Sequence, residues 1–340
     1  MPVTPASKIL IVGPSWVGDM VMAQSLFITL KQQHPGCLID VLAPAWSRPL
    51  LERMPEVHAA IDMPFGHGEF GFGKRRQLGK QLRANHYAQV IVLPNSWKSA
   101  LVPFFTGAPK RTGYVGELRY GLLNDARRLD KTTLTMTVQR FCALAYAADA
   151  PQPPAIPTPA LSISNDGVEA ALNKHGLAKE KPILVLCPGA EYGPAKRWPE
   201  AYYAEVARYW LAKGGQVWLF GSNKDEPVTT AINSQTDNRC VDLAGRTSLG
   251  EAIDLMSLAT HVVSNDSGLM HVAASLGRSL VAIYGSSDPG FTPPLNAQAQ
   301  VLRLGLDCSP CFKRECPLGH LKCLKDLLPQ QVIAALEQVS

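Results

Sequence analysis

The sequence predicts an α/β protein of two Rossmann-like domains facing a central cleft. Three observations predict it. The chain has 340 residues, more than one hydrophobic core usually organises. Each half alternates short apolar runs with helix-period segments, the pattern of a parallel sheet covered on both faces. Between the halves stands APQPPAIPTPA (150–160), with five prolines in eleven residues, which neither a helix nor a central strand accommodates. The expected domains are residues 1–160, ending in this linker, and residues 161–327, with a terminal helix over 328–340.

In the first half, KILIV (8–12) reads as a buried strand, followed by the turn GPSWVGD and a helix over 20–33. LIDVLAP (38–44) and QVIVLP (89–94) are further strands, with helical candidates at 46–54 and 75–84. SALVPFFTG (99–107) is apolar but interrupted by Pro103. In the second half, PILVLCPG (182–189), QVWLFGS (216–222), HVVSND (261–266) and SLVAIYGS (279–286) are strands, each ending in a Gly- or Asp-containing turn. Helices are expected at 199–213, 226–234, 249–259 and, in LPQQVIAALEQV, at 328–339.

Composition narrows the function. A hydrophobic content of 46% with 18% charged residues is that of a soluble globular protein. The net charge of +5 comes without a long Lys/Arg run, which argues against a nucleic-acid partner and suits transient contact with an acidic substrate or membrane surface. The first residues lack a signal-peptide pattern, and no run of 18 apolar residues occurs. The expected location is the cytoplasm, with the eight cysteines reduced.

The chemistry is expected in strand-end loops, where open α/β sheets bind ligands. GPSWVGDM (13–20) lacks a dinucleotide fingerprint but places Asp19 at a helix start, either as an N-cap or as a carboxylate able to take a proton. CPGAEYGPAKRWP (187–199) combines glycines with Lys196 and Arg197, the donors and charge that a diphosphate needs, although an exposed basic loop has the same composition. SNDSGLMHVAASLG (264–277) sets Asp266, Ser267, Gly268 and Leu269 ahead of a helix, as cap or as anion site, with His271 on its first turns facing either ligand or core. In GSNKDE (221–226), Asp225 or Glu226 is either an acceptor for ribose hydroxyls or a solvated helix-start charge.

These loops, with LPNSWKSALVPFFTGAPKRTGY (93–114), GELRYGLLND (116–125) and LFGSNKD (219–225), resemble the ADP-heptose:lipopolysaccharide heptosyltransferases of glycosyltransferase family 9 over nearly the whole chain. The resemblance implies a glycosyltransferase B-type fold whose C-terminal domain binds ADP-heptose and whose N-terminal domain binds the acceptor. It also implies that the terminal helix packs back on the N-terminal domain. Asp19 matches the general base and Lys196 the lysine beside the ADP phosphates. Asp266 matches an acid contacting the donor heptose, and Ser267 and Gly268 the phosphate-binding amides. Gly189, Ala190, Glu191, Asp225, Glu226, Leu269 and His271 complete the expected donor site. Trp16, Gly18, Asn95, Ser96, Lys98, Arg111 and Arg119 are the expected acceptor contacts, surface charge being the alternative for the three cations.

The implied reaction is an inverting transfer at the inner face of the inner membrane, onto the first heptose of Kdo-lipid A; LPNSWKSALVPFF favours that acceptor within the family. No D-x-D stands at a strand end, so no obligate metal or other cofactor is expected. The alternatives are a sister enzyme with another core acceptor, a sugar-nucleotide 2-epimerase and a nucleotide-sugar sensor. CSPCFKRECPLGHLKC (308–323) stands apart: Cys308, Cys311, Cys316 and Cys323 read as reduced structural thiols or oxidation-prone surface cysteines, with a structural metal site as the alternative and no catalytic cysteine.

Overall fold

The structure, a computed structural model, describes residues 7–66 and 68–338. The chain divides into two compact units between Pro159 and Ala160.

In the first unit, six strands form one parallel sheet: β1 (Lys8–Val12), β2 (Leu38–Ala43), β3 (Val57–Asp62), β4 (Gln89–Val92), β5 (Lys110–Tyr114) and β6 (Asp125–Arg127), in the order β3-β2-β1-β4-β5-β6. Five helices accompany them: α1 (Val17–Gln33), α2 (Arg48–Leu51), α3 (Phe72–Leu82), α4 (Leu101–Thr106) and α5 (Thr137–Ala143). The central strands are apolar throughout because both faces of a parallel sheet are covered: Ile9, Leu10, Ile11 and Val12 are all buried. Burial of one such side chain contributes about 1.5–3 kcal/mol. Pro103 lies in the first turn of α4, where a missing N–H costs no helical hydrogen bond, so the apolar run 99–107 is helical despite it.

In the second unit, β7 (Ile183–Cys187), β8 (Gln216–Leu219), β9 (Val241–Asp242), β10 (His261–Asn265), β11 (Ser279–Ile283) and β12 (Gln300–Leu302) form a second parallel sheet, ordered β12-β11-β10-β7-β8-β9. Counted within the unit, this is the same order as the first sheet. Its helices are α6 (Asn165–His175), α7 (Glu200–Ala212), α8 (Glu226–Ser234), α9 (Leu249–Met256), α10 (Gly268–Ser275), α11 (Lys322–Lys325) and α12 (Pro329–Gln338). The start of α9 shows why helices begin where they do here. Ser248 Oγ accepts from Glu251 N at 3.2 Å while the Glu251 carboxylate accepts from Ser248 N at 2.8 Å, a reciprocal cap.

In both sheets the chain changes direction beside the first strand, between β1 and β4 and between β7 and β10. The crevice at the carboxyl ends of those strands is the ligand position that this topology provides.

Three expectations change. The last helix was expected to pack back on the first domain, but α12 lays Val332, Ala335 and Leu336 into the core of the second unit, against α7 and β11. Its apolar stripe is consumed there. Helix α1 begins at Val17 rather than near Met20, so Asp19 lies inside the first turn and Trp16 holds the N-cap position. Arg119, expected to reach an acceptor, is fully buried and donates inward. Its guanidinium bonds the carbonyl oxygens of Pro94 (2.7 Å), Val115 (3.4 Å), Ser96 (3.5 Å) and Tyr114, with Ser99 Oγ (3.0 Å) and Asn95 Oδ1 (3.4 Å). Burial pushes its pKa down to about 10. Arg119 builds the loop after β4; no donor remains for a ligand.

Arg119→Met should therefore destabilise the chain by about 3 kcal/mol, because buried carbonyls lose their donors. Urea unfolding reads this as a lower midpoint at unchanged slope. An unchanged midpoint would mean that the guanidinium does not organise the loop.

Candidate active site

At the carboxyl end of the second sheet, β10 finishes with Asn265, whose side chain is fully buried. Its Oδ1 accepts from Trp198 N at 3.0 Å and from the Tyr203 hydroxyl at 3.1 Å, and its Nδ2 donates to Pro188 O at 2.6 Å. One amide thus holds both ends of the loop 188–198 that follows β7. Trp198 is itself fixed, its indole N–H donating to Leu327 O at 2.8 Å.

Inside that loop, Lys196 Nζ lies 2.5 Å from Asp266 Oδ2, the residue directly after Asn265. The ammonium also lies 5.1 Å from the ring centre of Tyr192, and the Arg314 guanidinium carbon lies 5.2 Å from the same centre. Asp266 is nearly buried, so this pair is screened less than a surface ion pair. Ser267 caps α10, its Oγ accepting from Met270 N at 3.4 Å, and the helix begins at Gly268 and Leu269. The first N–H groups of a helix have no intrahelical acceptor, so positive potential gathers beside Lys196. Cap and anion-binding end coexist on this helix.

His271 is buried on α10, and burial is the main reason its pKa drops to about 4; Asp266 pulls it upward and Lys196 pushes it further down. At neutral pH the site therefore holds a neutral imidazole beside one ion pair.

Gly189 and Gly193 are required by close approach. A side chain at Gly189 would stand 2.4 Å from the Asp225 carboxyl carbon, and one at Gly193, where φ is +153°, would stand 2.5 Å from Arg314 O. Ala190 is buried, whereas Glu191 is exposed and pairs with Lys224 at 2.5 Å. Asp225 is partly committed, since its Oδ2 accepts from Ser222 N (2.9 Å) and Ser222 Oγ (2.8 Å) at the start of α8. Its Oδ1 stands 3.9 Å from Arg197 Nη2. Glu226 is exposed and lies against Gly245.

In the first unit, the turn after β1 and the start of α1 carry Trp16, Gly18 and Asp19, and the segment after β4 carries Asn95, Ser96 and Lys98. These are the two strands beside the change of direction, so all six residues lie at the ligand edge of the sheet. Trp16 is 45% exposed, Gly18 is buried and Asp19 is half-buried. Lys98 Nζ reaches Glu69 O at 3.5 Å. Arg111 is a second correction: it pairs with Val90 near the start of β5, towards the opposite edge. There its guanidinium donates to Leu122 O and Ala108 O, each at 2.8 Å, and it serves the fold.

Asn265, Tyr192 and Arg314 were not among the expected site residues. The first two stand in the quoted motifs. A buried Asn at the end of an apolar strand, which must find partners, was a readable signal. Arg314 belongs to the cysteine-rich segment, and nothing in its own stretch points at the loop 188–198.

A family model described as "Glycosyltransferase family 9 (heptosyltransferase)" matches residues 75–322. The chain is 50% identical over 340 residues to the lipopolysaccharide heptosyltransferase 2 of Escherichia coli strain K12, covering 97% of each chain. It is 47% identical over 348 residues to the lipooligosaccharide heptosyltransferase 2 of Haemophilus ducreyi, covering 98% of this chain and 99% of that one. Among solved structures it is similar to E. coli ADP-heptose LPS heptosyltransferase II, with a TM-score of 0.86, 46% identity and 98% of both chains covered. The expected two-sheet architecture is borne out by the strand orders and by that likeness. With identity of this extent and a family model spanning most of the sequence, the chain belongs to glycosyltransferase family 9, the heptosyltransferases.

Proposed function

We propose that the chain transfers L-glycero-D-manno-heptose from ADP-heptose, with inversion, onto the first heptose of the lipopolysaccharide inner core. The observation that carries this reading is the Lys196–Asp266 pair beside the N-terminus of α10, where the strand order of the second sheet reverses, in a chain half identical to heptosyltransferase 2 relatives. A sister enzyme, an epimerase or a sensor is not favoured against that identity.

Lys196 and the amides at Ser267, Gly268 and Leu269 hold the diphosphate, with Gly189, Ala190 and Glu191 forming the other wall. Lys196 is shared between Asp266 and the phosphates, and its fixed charge offsets the negative charge that grows on departing ADP. Preorganised donors of this kind contribute about 3 kcal/mol each to the transition state. Asp266 accepts from donor heptose hydroxyls, while Glu226 and Asp225, through the Oδ1 that faces Arg197, suit the ribose. In the first unit Asp19 takes the proton from the attacking hydroxyl as the new bond forms at the anomeric carbon. Trp16, Gly18, Asn95, Ser96 and Lys98 position the acceptor sugar. No metal is assigned to the transfer step.

The acceptor is a lipid, and the first unit has a surface suited to one. Phe70 (52% exposed), Phe72, Trp97 and Phe104 lie on the outside, with ring centroids 6.3 Å apart for Phe70–Phe72 and 6.2 Å for Phe70–Trp97. Exposed Lys74, Arg76 and Lys80 stand on adjoining α3. Apolar rings beside cations fit an anionic lipid interface. No helix among the described residues is long and apolar enough to cross a membrane. A cytoplasmic enzyme working peripherally at the inner face of the inner membrane fits this surface.

Three outcomes are expected. In a transfer assay with ADP-heptose, Asp19→Ala lowers kcat about a hundredfold or more with little change in donor KM, and Lys196→Ala lowers kcat about a hundredfold and weakens ADP binding. Full activity in Asp19→Ala would sink the base assignment, and thermal stabilisation by UDP rather than ADP would sink the donor. In vesicle sedimentation, anionic lipid retains the wild type but releases Phe70→Ser/Phe72→Ser; equal retention of both would remove this surface from the membrane reading. The third outcome concerns pH. The pKa of His271 is depressed in the folded chain, so its contribution is intact above its ordinary value of 6.5 and is lost as pH falls towards about 4. The loss amounts to about 3 kcal/mol. His271→Gln should flatten that part of the stability–pH curve, and an unchanged curve would contradict the burial of a neutral ring.

A further inference from the structure

The segment 308–323 takes no part in the transfer chemistry, yet it is built against the donor loop. Ala195 N donates to Arg314 O at 3.0 Å, and the Tyr192 hydroxyl to Phe312 O at 2.7 Å. Phe312 N donates to Ser286 O at 2.7 Å, Ser286 N to Ala195 O at 3.2 Å, and Ser309 Oγ to Gly285 O at 2.5 Å. The residue next to Lys196 is therefore held from behind by the cysteine-rich segment.

Between the two lies a cavity of about 20 Å³ lined by Cys308, Cys311, Cys316 and Cys323, with His320, Ala195 and Ser286 among the remaining walls. All four thiols are free, and no group of three His, Cys, Asp or Glu is arranged as a finished metal site among the described residues. The space still has a definite character. It accommodates about one water-sized sphere, which suits a single ion and not a multi-atom cluster. Phe312, next after Cys311, stands at φ +55°, and Gly319, three residues after Cys316, at φ +69°. The surrounding charge fits as well. A divalent ion with four thiolates carries a net charge of about −2, and residues 307–326 set Lys313, Arg314, Lys322 and Lys325 against Asp307, Glu315 and Asp326.

We propose that Cys308, Cys311, Cys316 and Cys323 close on one thiophilic divalent ion, zinc or ferrous iron, and that this ion stiffens the donor loop through Ala195 and Arg314. Four protein thiolates leave no open position, so the ion is structural and stays outside the reaction. Soft thiolate ligands in a four-coordinate set select zinc or iron over magnesium or calcium.

The test uses the full chain, purified under reducing conditions in metal-free buffer. Elemental mass spectrometry is expected to find about one zinc or iron per chain, and the ratio of the two distinguishes the sources. Metal-stripped wild type titrated with cobalt(II) should develop tetrahedral thiolate ligand-field bands, saturating near one equivalent. Cys311→Ser/Cys316→Ser should lose both signals, with at least about a tenfold drop in bound metal. Four freely titrating thiols with metal below about a tenth of an equivalent, and no cobalt bands, would overturn the proposal. Disulfides among these cysteines in the freshly isolated protein would overturn it too. Should the double variant fail to fold, the wild-type cobalt titration decides alone. Metal content is read without donor or acceptor, so it stands or falls separately from the transfer reaction.

Discussion

The side chain of Asn265 is the constraint on which the candidate site of the second unit rests. Its backbone ends β10 and leads into Asp266 and α10, while its amide holds Pro188 and Trp198, the two ends of the loop bearing Lys196. One buried group therefore sets the positions of both members of the central ion pair. Each partner would be left unsatisfied without it, at a cost of about 1–3 kcal/mol per buried polar group. A carboxylate of similar shape could not donate to Pro188, and an aliphatic side chain would satisfy none of the three partners.

This arrangement explains why the site is both rigid and charged. The strand is buried on both faces and does not adjust, so the loop is tied to something that cannot move. Lys196 is then held between a carboxylate and an aromatic face without being fully neutralised. The neutral His271 below contributes volume without a competing positive charge. The cysteine-rich segment supports the same loop from its other side, and Arg314 takes part in both its backbone and its ring contacts.

Much of the architecture was legible in the sequence, for physical reasons that differ by element. The central strands β1, β2, β4, β7, β8, β10 and β11 were readable because strands buried on both faces are apolar at nearly every position. The outer strands β3, β6, β9 and β12 were not. They are short or half-exposed, and DAR at β6 or VD at β9 has no hydrophobic pattern to detect. Helix α6 was also missed, lying just after the Pro-rich stretch with only Val168, Ala171 and Leu172 buried. The loop 188–198 stood out because glycine and lysine at a strand end have a specific chemical use. Arg119 and Arg111 were misread for the opposite reason: a guanidinium in a polar loop has the same sequence appearance whether it faces water or gathers carbonyl groups inside.

That gathering has a consequence for the face turned outward. Around Arg119, the carbonyl oxygens of Pro94, Ser96, Tyr114 and Val115 all turn towards the guanidinium, and Asn95 O is taken by Glu117 N at 3.2 Å. A loop that sequesters its partial negative charges presents a surface depleted in lone pairs. With those oxygens turned inward, the loop after β4 leaves fewer backbone acceptors open to solvent than an ordinary turn of its length.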